Sequence, residues 1–182
     1  MLNAKRARGN NFFYHEYLNL LTYCSPLSKS GILKLIKSAE IGYLATASPN
    51  LQPYVTPVVF IIERDSIYVP LDSKPKTVNF RQLKRIKNIL ENPKVAFLVE
   101  HYENDWSRLW FVMLTGIAKL VVQNEDLNTD KEICKVRDLF LEKYIQYTQV
   151  EIGTAYIKLN QLKGTFWRFK KTLKRKKVQL LN

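Results

Sequence analysis

The sequence predicts a mainly β protein, a small antiparallel barrel of about six strands with short helices that plug or flank it. Runs rich in β-branched and aromatic residues recur along the chain, and turn residues separate them. Between these runs lie a few segments whose apolar residues repeat at helical spacing. A chain of 182 residues, 46% of them hydrophobic, is long enough to bury the core of one such domain.

The first half of the chain reads as a short helix followed by two hairpins. We expect residues 1–27 to form an extension, with one helical turn around 14–21. Ser28 or Ser30 then caps a helix whose apolar side is formed by Ile32, Leu33, Leu35 and Ile36. Strands are predicted over 41–48, 53–64 and 66–72, separated by turn residues at 48–50 and 64–65. Because apolar residues fall on both faces of 53–62, we expect this strand to be buried on both sides.

The second half alternates helices with long strands. Residues 77–91 have helical spacing, with Thr77 as N-cap, Asn92-Pro93 as the stop and an apolar face of Phe80, Leu83, Ile86 and Leu90. Strands are predicted over 94–102 and 108–122, the second bending near Gly116. A helix over 129–147 follows, with Ile133, Val136, Phe140, Tyr144 and Tyr147 on one face. A last strand over 154–169 completes a domain of residues 28–169, and a basic tail occupies 170–182.

The charge of the chain favours anionic partners. There are 29 Lys and Arg against 16 Asp and Glu, a net charge of +13, and no acid follows Glu151. Phosphates, polycarboxylates and nucleic acids are the partner classes that such a balance suits, and a merely solvated surface is the alternative.

Several classes of protein are excluded or disfavoured by the sequence. No apolar run reaches the ~18 residues of a membrane helix, and the N-terminus lacks the apolar core of a signal peptide. Cys24 and Cys134 are too few for a disulfide framework, so we expect reduced thiols in a cytoplasmic protein. With His15 and His101 as the only histidines, a histidine-rich metal centre is excluded.

The segment DSKPKTVNFRQLKRIKN carries a pattern typical of a phosphate site. A strand ends, Lys74 and Lys76 flank the stiff Pro75, and a helix begins. The first turn of a helix offers free backbone N–H groups and the positive end of its dipole, so lysines beside it can hold a phosphate. An ordinary basic loop is the alternative interpretation.

The segment HYENDWSRLW raises the question of a catalytic, metal or anion-binding site. Glu103 and Asp105 are two residues apart in an expected turn, where solvated acids are common, so we do not interpret them as an acid/base pair. His101 can be a packing residue or a proton donor. Arg108 is the best candidate there, because a guanidinium suits carboxylates and phosphates and stacks on aromatic faces. Trp106 and Trp110 can equally belong to the core.

The order of these segments resembles a known family. The run LATAS, PYVTPVVF, IYVPLDSKPK and LKRIKNILENPKVAFLVEHYENDWSRLWFVMLTGIAKLV is similar to the pyridoxamine-phosphate-oxidase-like, FMN-binding split barrels. More narrowly, it resembles the branch described as oxidoreductases that use the deazaflavin coenzyme F-420. The resemblance covers residues 30–168, and KPK, NPKV and DWSRLW are its most specific pieces.

The resemblance implies a six-stranded antiparallel split barrel that forms a homodimer with two cofactor sites at the interface. Beside the cofactor ring it places Thr56, Pro57 and Val58. Around the cofactor phosphate it places Ser73, Lys74 and Lys76, with Lys84 and Arg85 as weaker candidates. At the cofactor or substrate mouth, near the second subunit, it places Trp106, Arg108 and Trp110.

The function that the resemblance implies is a flavin- or deazaflavin-dependent oxidoreductase acting on an unknown small molecule. No catalytic side chain is expected, because the cofactor carries the hydride or electron chemistry. Coenzyme F-420 is favoured over FMN, since its glutamate tail would use the basic residues after the KPK turn. The alternatives are a cofactor-binding protein without turnover and a nucleic-acid-associated protein that uses the basic tail. The lysine run at the end of the chain lacks the Arg/His substrate-binding pattern of pyridoxamine phosphate oxidase itself.

Overall fold

The computed structural model describes residues 29–71, 80–123 and 127–169. Within these ranges the helices are α1 (Lys29–Ser38), α2 (Lys84–Glu91) and α3 (Leu127–Lys143). The strands are β1 (Gly42–Ala47), β2 (Pro53–Val58), β3 (Ile61–Glu63), β4 (Ser66–Pro70), β5 (Lys94–His101), β6 (Trp110–Val122) and β7 (Ala155–Arg168). The predicted phosphate turn and both terminal segments lie outside the described residues. None of the described helices is long and apolar enough to cross a membrane.

The strands form one antiparallel sheet in the order β2-β1-β5-β6-β7-β4-β3. Its two edge strands, β2 and β3, are consecutive in the chain, and only Val59 and Phe60 join them. A barrel left open between these strands is the split barrel that the sequence predicts. The two successive hairpins, β1–β2 and β3–β4, are confirmed.

The described residues contain seven strands where six were expected, because the predicted strand 53–64 is broken in two. At the break, the backbone N–H of Phe60 donates to the hydroxyl of Tyr144 at 3.0 Å. A side chain of α3's C-terminal end thus replaces the neighbouring strand as the partner of this N–H group.

The prediction that residues 53–62 are buried on both sides is wrong for the first half of this segment. In β2, Pro53, Tyr54, Val55 and Pro57 are exposed and only Val58 is buried. The physical reason is the position of β2 at the edge of the sheet, where only β1 pairs with it. An apolar pattern predicts that a strand has two covered faces, but it does not show whether the same chain covers them.

The main core lies between the inner face of the sheet and helices α1 and α2. Strand β5 sends every second side chain inwards, so that Val95, Phe97 and Val99 are buried. A smaller core lies under α3, where all five residues of the predicted apolar face are buried: Ile133, Val136, Phe140, Tyr144 and Tyr147. The α-helix ends at Lys143, and a 3-10 turn, Ile145–Thr148, carries Tyr147.

Polar contacts fix α3 on the sheet. Glu132 accepts hydrogen bonds from Lys158 at 2.8 Å and from the hydroxyl of Tyr68 at 2.9 Å. Burial alone would raise the pKa of the Glu132 carboxyl, but the hydrogen bonds from Lys158 and Tyr68 bring it below its ordinary value. The carboxylate is therefore stabilised in its charged form between β4 and β7.

The helix predicted over 77–91 begins later than expected. Phe80–Gln82 is a 3-10 turn, Leu83 has an extended backbone with φ −59° and ψ 134°, and α2 starts at Lys84. Of the predicted apolar face, Ile86 is buried and Phe80 and Leu83 pack against the core. Leu90, also predicted to face the core, is 62% exposed, and Ile89 is buried instead. The predicted N-cap, Thr77, lies outside the described residues. The stop at Asn92-Pro93 is confirmed, because Asn92 is extended with φ −139°.

The bend near Gly116 is also confirmed. The register of β6 against β7 shifts between Thr115 and Ile117. A Cβ atom on Gly116 would lie 2.6 Å from the backbone oxygen of Asn160, so the close approach of the two strands requires glycine there. Strand β6 itself starts at Trp110, two residues later than predicted, because Trp106–Arg108 forms a 3-10 turn.

Candidate functional site

The exposed strand β2 carries the residues expected beside a cofactor ring. Thr56 pairs with Leu44 of β1 and Pro57 pairs with Tyr43. Since side chains alternate along a strand, Thr56 and Val58 point to the core side of the sheet and Pro57 points to the other side. All three therefore cannot present their side chains to one ring. What they share is the edge of β2, whose backbone groups have no strand partner within the described residues.

Two buried polar atoms lie on the core side of this edge without a hydrogen-bond partner in the described part of the chain, Thr56 Oγ1 and Asn88 Oδ1. Asn88 is fully buried, and its Nδ2 donates to Thr46 Oγ1 at 3.0 Å. Thr46 Oγ1 in turn donates to the backbone oxygen of Tyr54 in β2 at 3.4 Å. A buried polar atom left unpaired costs about 1–3 kcal/mol. The free hydroxyl of Thr56, next to an unpaired strand edge, fits a site that a bound group completes.

The sequence pattern does not single out Thr46 and Asn88. The available signal was an asparagine next to the apolar positions of an amphipathic helix, where a polar residue that turns inwards needs a partner. Its significance depended on the phase of α2, which the break at Leu83 changed.

Two of the predicted basic residues lie near β2. Lys84 and Arg85 form the first turn of α2, which packs against β1 and β2. Lys84 is exposed and Arg85 is half-buried. The structure thus brings these cations to the same side of the sheet as Thr56. Ser73, Lys74 and Lys76 lie outside the described residues, and their role in binding phosphate stays a prediction.

Two of the residues expected at the mouth, Arg108 and Trp110, line a cleft of about 310 Å³ at one end of the sheet, and Trp106 does not line it. Three of its side chains form a row across adjacent strands, because Trp110 of β6 pairs with His101 of β5 and with Arg168 of β7. The rings of His101 and Trp110 are stacked, with centroids 6.3 Å apart and planes inclined by 17°. Leu35 and Ser38 of α1 close the cleft on its other side, and Arg108 stands at its rim.

The two predicted tryptophans differ in burial. Trp110 is 9% exposed and belongs to the main core, while Trp106 is 59% exposed in the 3-10 turn. Trp110 therefore supports the cleft as a wall, and Trp106 is free to contact another molecule.

The acids of this segment have structural partners. Glu103 Oε1 forms an ion pair with Arg108 Nε at 2.8 Å and lies 3.6 Å from His101 Nε2. Asp105 caps the 3-10 turn by accepting from Ser107 N at 3.0 Å and from Ser107 Oγ at 2.7 Å. Glu103 is thus not merely a solvated turn acid, as the sequence suggested. The absence of an acid/base pair is consistent with this geometry, because each carboxylate contacts a different group.

Other features of the described residues offer less chemistry. A larger groove of about 750 Å³ runs between α1, the β3–β4 turn and the β6–β7 pair, and its lining is mostly apolar. Within the three described ranges, no cluster of His, Cys, Asp and Glu is arranged to hold a metal ion.

Known structures share this fold. A conserved hypothetical protein from Mycobacterium tuberculosis is 18% identical, with a TM-score of 0.60 over 79% of this chain and 86% of that one. HutZ, the heme storage protein from Vibrio cholerae, is 13% identical, with a TM-score of 0.56 over 77% of this chain and 93% of the other. An FAD-binding protein from Mesorhizobium loti is 15% identical, with a TM-score of 0.51 over 77% and 92% of the two chains.

No curated protein is significantly similar to the chain in sequence. The sequence profile described as pyridoxamine 5'-phosphate oxidase, however, matches residues 29–155, which span β1–β6 and all of the predicted cofactor residues. The chain therefore belongs to the pyridoxamine 5'-phosphate oxidase family.

Proposed function

We propose that the protein is a homodimeric oxidoreductase that binds a flavin or deazaflavin along the edge of β2. The observation that carries the proposal is the edge of β2, which has no strand partner within the described residues. Beside it lies the buried hydroxyl of Thr56, which has no hydrogen-bond partner among these residues, and the cations of α2 lie on the same side. Family membership and the similarity to an FAD-binding protein support the cofactor class.

The residues of the chain have distinct tasks in this proposal. When bound, the cofactor supplies the hydride or electron transfer. The Thr56 hydroxyl and the backbone of β2 bind and orient the ring, and Lys74 and Lys76, with Ser73, hold the phosphate. Lys84 and Arg85 add positive charge for the rest of an anionic cofactor.

A second chain would complete the site. The face of the sheet opposite the core carries an apolar row across β1, β5 and β6, because Tyr43 pairs with Leu98 and Leu98 with Met113. Met113 is 46% exposed and Val55 of β2 is 59% exposed. An apolar sheet face of this kind is stable in water only when another surface covers it. A second copy of the chain, seated on this face, would cover it and bring a partner surface to the edge of β2.

The central experiment is the absorbance spectrum of the purified protein before and after addition of FMN, FAD or coenzyme F-420. We expect one of them to bind with a shifted spectrum, and the bound cofactor to be reduced or oxidised by a small molecule. A protein that holds the cofactor but never changes its redox state would be a binding protein without turnover. A protein whose spectrum changes with none of them would refute the proposal.

Among these cofactors we propose coenzyme F-420 rather than FMN. Its tail of glutamates carries more negative charge than a single phosphate, and the chain offers Lys84, Arg85 and Lys87 on α2 beyond the KPK turn. Affinity for the deazaflavin should rise with the number of glutamates and fall steeply with salt, because such contacts are screened. Tight FMN binding with weak, glutamate-independent deazaflavin binding would reverse the assignment.

A further inference from the structure

The cleft at the end of the sheet combines charge and flat apolar surface in a way that the fold alone does not require. Arg108 and Arg168 lie on either side of Trp110, one at the rim and one in the row across the strands. Arg108 lies in the 3-10 turn and Arg168 is the last residue of β7, so the two side chains come from different elements. The position of Arg168 is fixed by a backbone hydrogen bond from Phe169 N to Leu109 O at 3.0 Å.

Two guanidinium groups line the cleft. Glu103 engages Arg108 through Nε, and Arg168 is the second arginine of the lining. The Arg108 side chain is 66% exposed, so a ligand can approach it directly. A guanidinium presents five N–H donors in a planar fork, so an ion pair through Nε does not exhaust it.

The remaining walls suit a small flat molecule. Trp110 and His101 form a stacked pair, and Leu35 adds an aliphatic side chain. A cleft of about 310 Å³ is at the small end of ligand sites and holds about one substituted ring.

We infer that this cleft binds the carboxylate of a small planar substrate, with the two arginines on the carboxylate and the ring against Trp110. The inference rests on the proposed function, because it makes the ligand the substrate of the cofactor site. Within one chain, the cleft and β2 lie at the same end of the sheet. Val58 pairs with Gly42, and the next residue of β1, Tyr43, pairs with Leu98, three residues before His101.

Benzoate and benzamide are matched probes, because they share size and ring but differ in charge. We expect calorimetric titration of the purified protein to detect benzoate and not benzamide, and the Trp fluorescence to change with benzoate. Arg108→Gln and Arg168→Gln should each weaken benzoate binding about 10- to 100-fold, the loss of one charge-assisted contact. Arg137→Gln, which removes an exposed arginine of α3, should bind benzoate like the unmodified protein. The melting temperatures of all variants should agree, which excludes misfolding as the cause.

The same variants separate this inference from the proposed function. Flavin or deazaflavin titrations of Arg168→Gln should give an unchanged affinity, because the substrate cleft is not the cofactor seat. Loss of cofactor binding in Arg168→Gln would overturn the inference and assign the cleft to the cofactor. Equal binding of benzamide, or benzoate binding unaffected by both arginine variants, would also overturn it. Arginine-dependent benzoate binding in a protein that takes up no cofactor would sustain the inference and refute the oxidoreductase.

Discussion

Trp106 and Trp110 lie four residues apart, and their burial differs because a single residue, Leu109, separates a 3-10 turn from a strand. The sequence pointed to both tryptophans and to Arg108. It could not show which tryptophan is buried in the wall of the cleft and which is exposed. Burial here depends on Arg168 and His101, which pair with Trp110 from two other strands. Such pairings join distant parts of the chain, and a local pattern contains no information about them.

The lysines of the predicted phosphate turn can be tested directly. Changing both Lys74 and Lys76 to alanine should weaken cofactor binding by about 2–4 kcal/mol, roughly 30- to 1000-fold, because two charge-assisted contacts are lost. The cofactor affinity is measured by absorbance titration, and circular dichroism should show an intact fold. Lys131→Ala, at an exposed position of α3, is the matched control. An unchanged affinity would move the phosphate to the cations of α2.

Lys143 makes stability depend on pH in an unusual direction. Its Nζ donates to the backbone oxygens of Ala39 at 2.7 Å and Phe60 at 3.1 Å and lies 4.3 Å from the centre of the Phe60 ring. Burial lowers the pKa of this amine to about 8, and the charge of Glu40 opposes the shift only in part. Between this value and the ordinary one near 10.5, the unfolded chain binds more protons than the folded one, so stability rises with pH.

The free energy of unfolding should therefore increase by about 1 kcal/mol between pH 8 and pH 10, less than the full shift implies because water reaches part of the side chain. Above pH 10 it should fall again, since burial raises the pKa of Tyr144 and Tyr156 to about 12. Urea unfolding at a series of pH values measures both trends. In Lys143→Met, the increase in the free energy of unfolding between pH 8 and pH 10 should disappear, and the decrease above pH 10 should remain. A rise that persists in the variant would show that another group titrates.

At the scale of whole elements, the sequence predicted most where periodicity is long. Helix α3 and the 3-10 turn that follows it present five apolar residues at the predicted spacing, and all five are buried as expected. On the predicted helix before β5, Phe80, Leu83 and Ile86 lie in or against the core as expected. Leu90 alone is wrong, because α2 begins only after the extended Leu83. The prediction that β2 is buried on both sides failed because this strand lies at the edge of the sheet, where only β1 pairs with it within the described residues. Both errors come from a change in backbone or pairing at one position, which composition does not record.

The phase of α2 has a measurable consequence. Ile89→Ala should lower the free energy of unfolding by about 2–5 kcal/mol, because it leaves a cavity at a side chain that is 3% exposed. Leu90→Ala, one residue later and 62% exposed, should change it by less than about 0.5 kcal/mol. Chemical denaturation measures both variants, and Leu90→Ala is the control for Ile89→Ala. A larger effect at Leu90 than at Ile89 would restore the helical phase expected from the sequence.

For the whole molecule, the sequence predicted the fold class and family, while the residues that it predicted for the cofactor divide between two separate regions. Thr56 and the α2 cations lie on one side of β1, and the cleft lies across β5, β6 and β7. A homodimer would make both regions part of one site if the partner brings its own surface to the edge of β2.

We predict a stable dimer that depends on the exposed apolar face. Obligate interfaces of this kind bury more than ~2,000 Å². Light scattering at micromolar concentration, with cofactor present, should give twice the mass of the chain. Met113→Lys should shift the mass towards that of one chain, because it places a charge in the apolar row, while Leu90→Lys should leave it unchanged. A single-chain mass for the unmodified protein would contradict the dimer and the shared site together.

At the open seam of the barrel, a side chain rather than a neighbouring strand bonds to the backbone. Hydrogen exchange at this contact can therefore measure local opening. The hydroxyl of Tyr144 lies 2.7 Å from the backbone oxygen of Phe60 and accepts from its N–H at 3.0 Å. In Tyr144→Phe, the amide hydrogen of Phe60 should exchange with heavy water about 10- to 100-fold faster, because its buried donor loses its partner. Tyr156→Phe, which removes a buried hydroxyl that has no hydrogen-bond partner in the described residues, should leave that rate unchanged. Site-resolved exchange at Phe60 would then report how often the link between β2 and β3 separates from Tyr144, a motion that cofactor bound along β2 should slow.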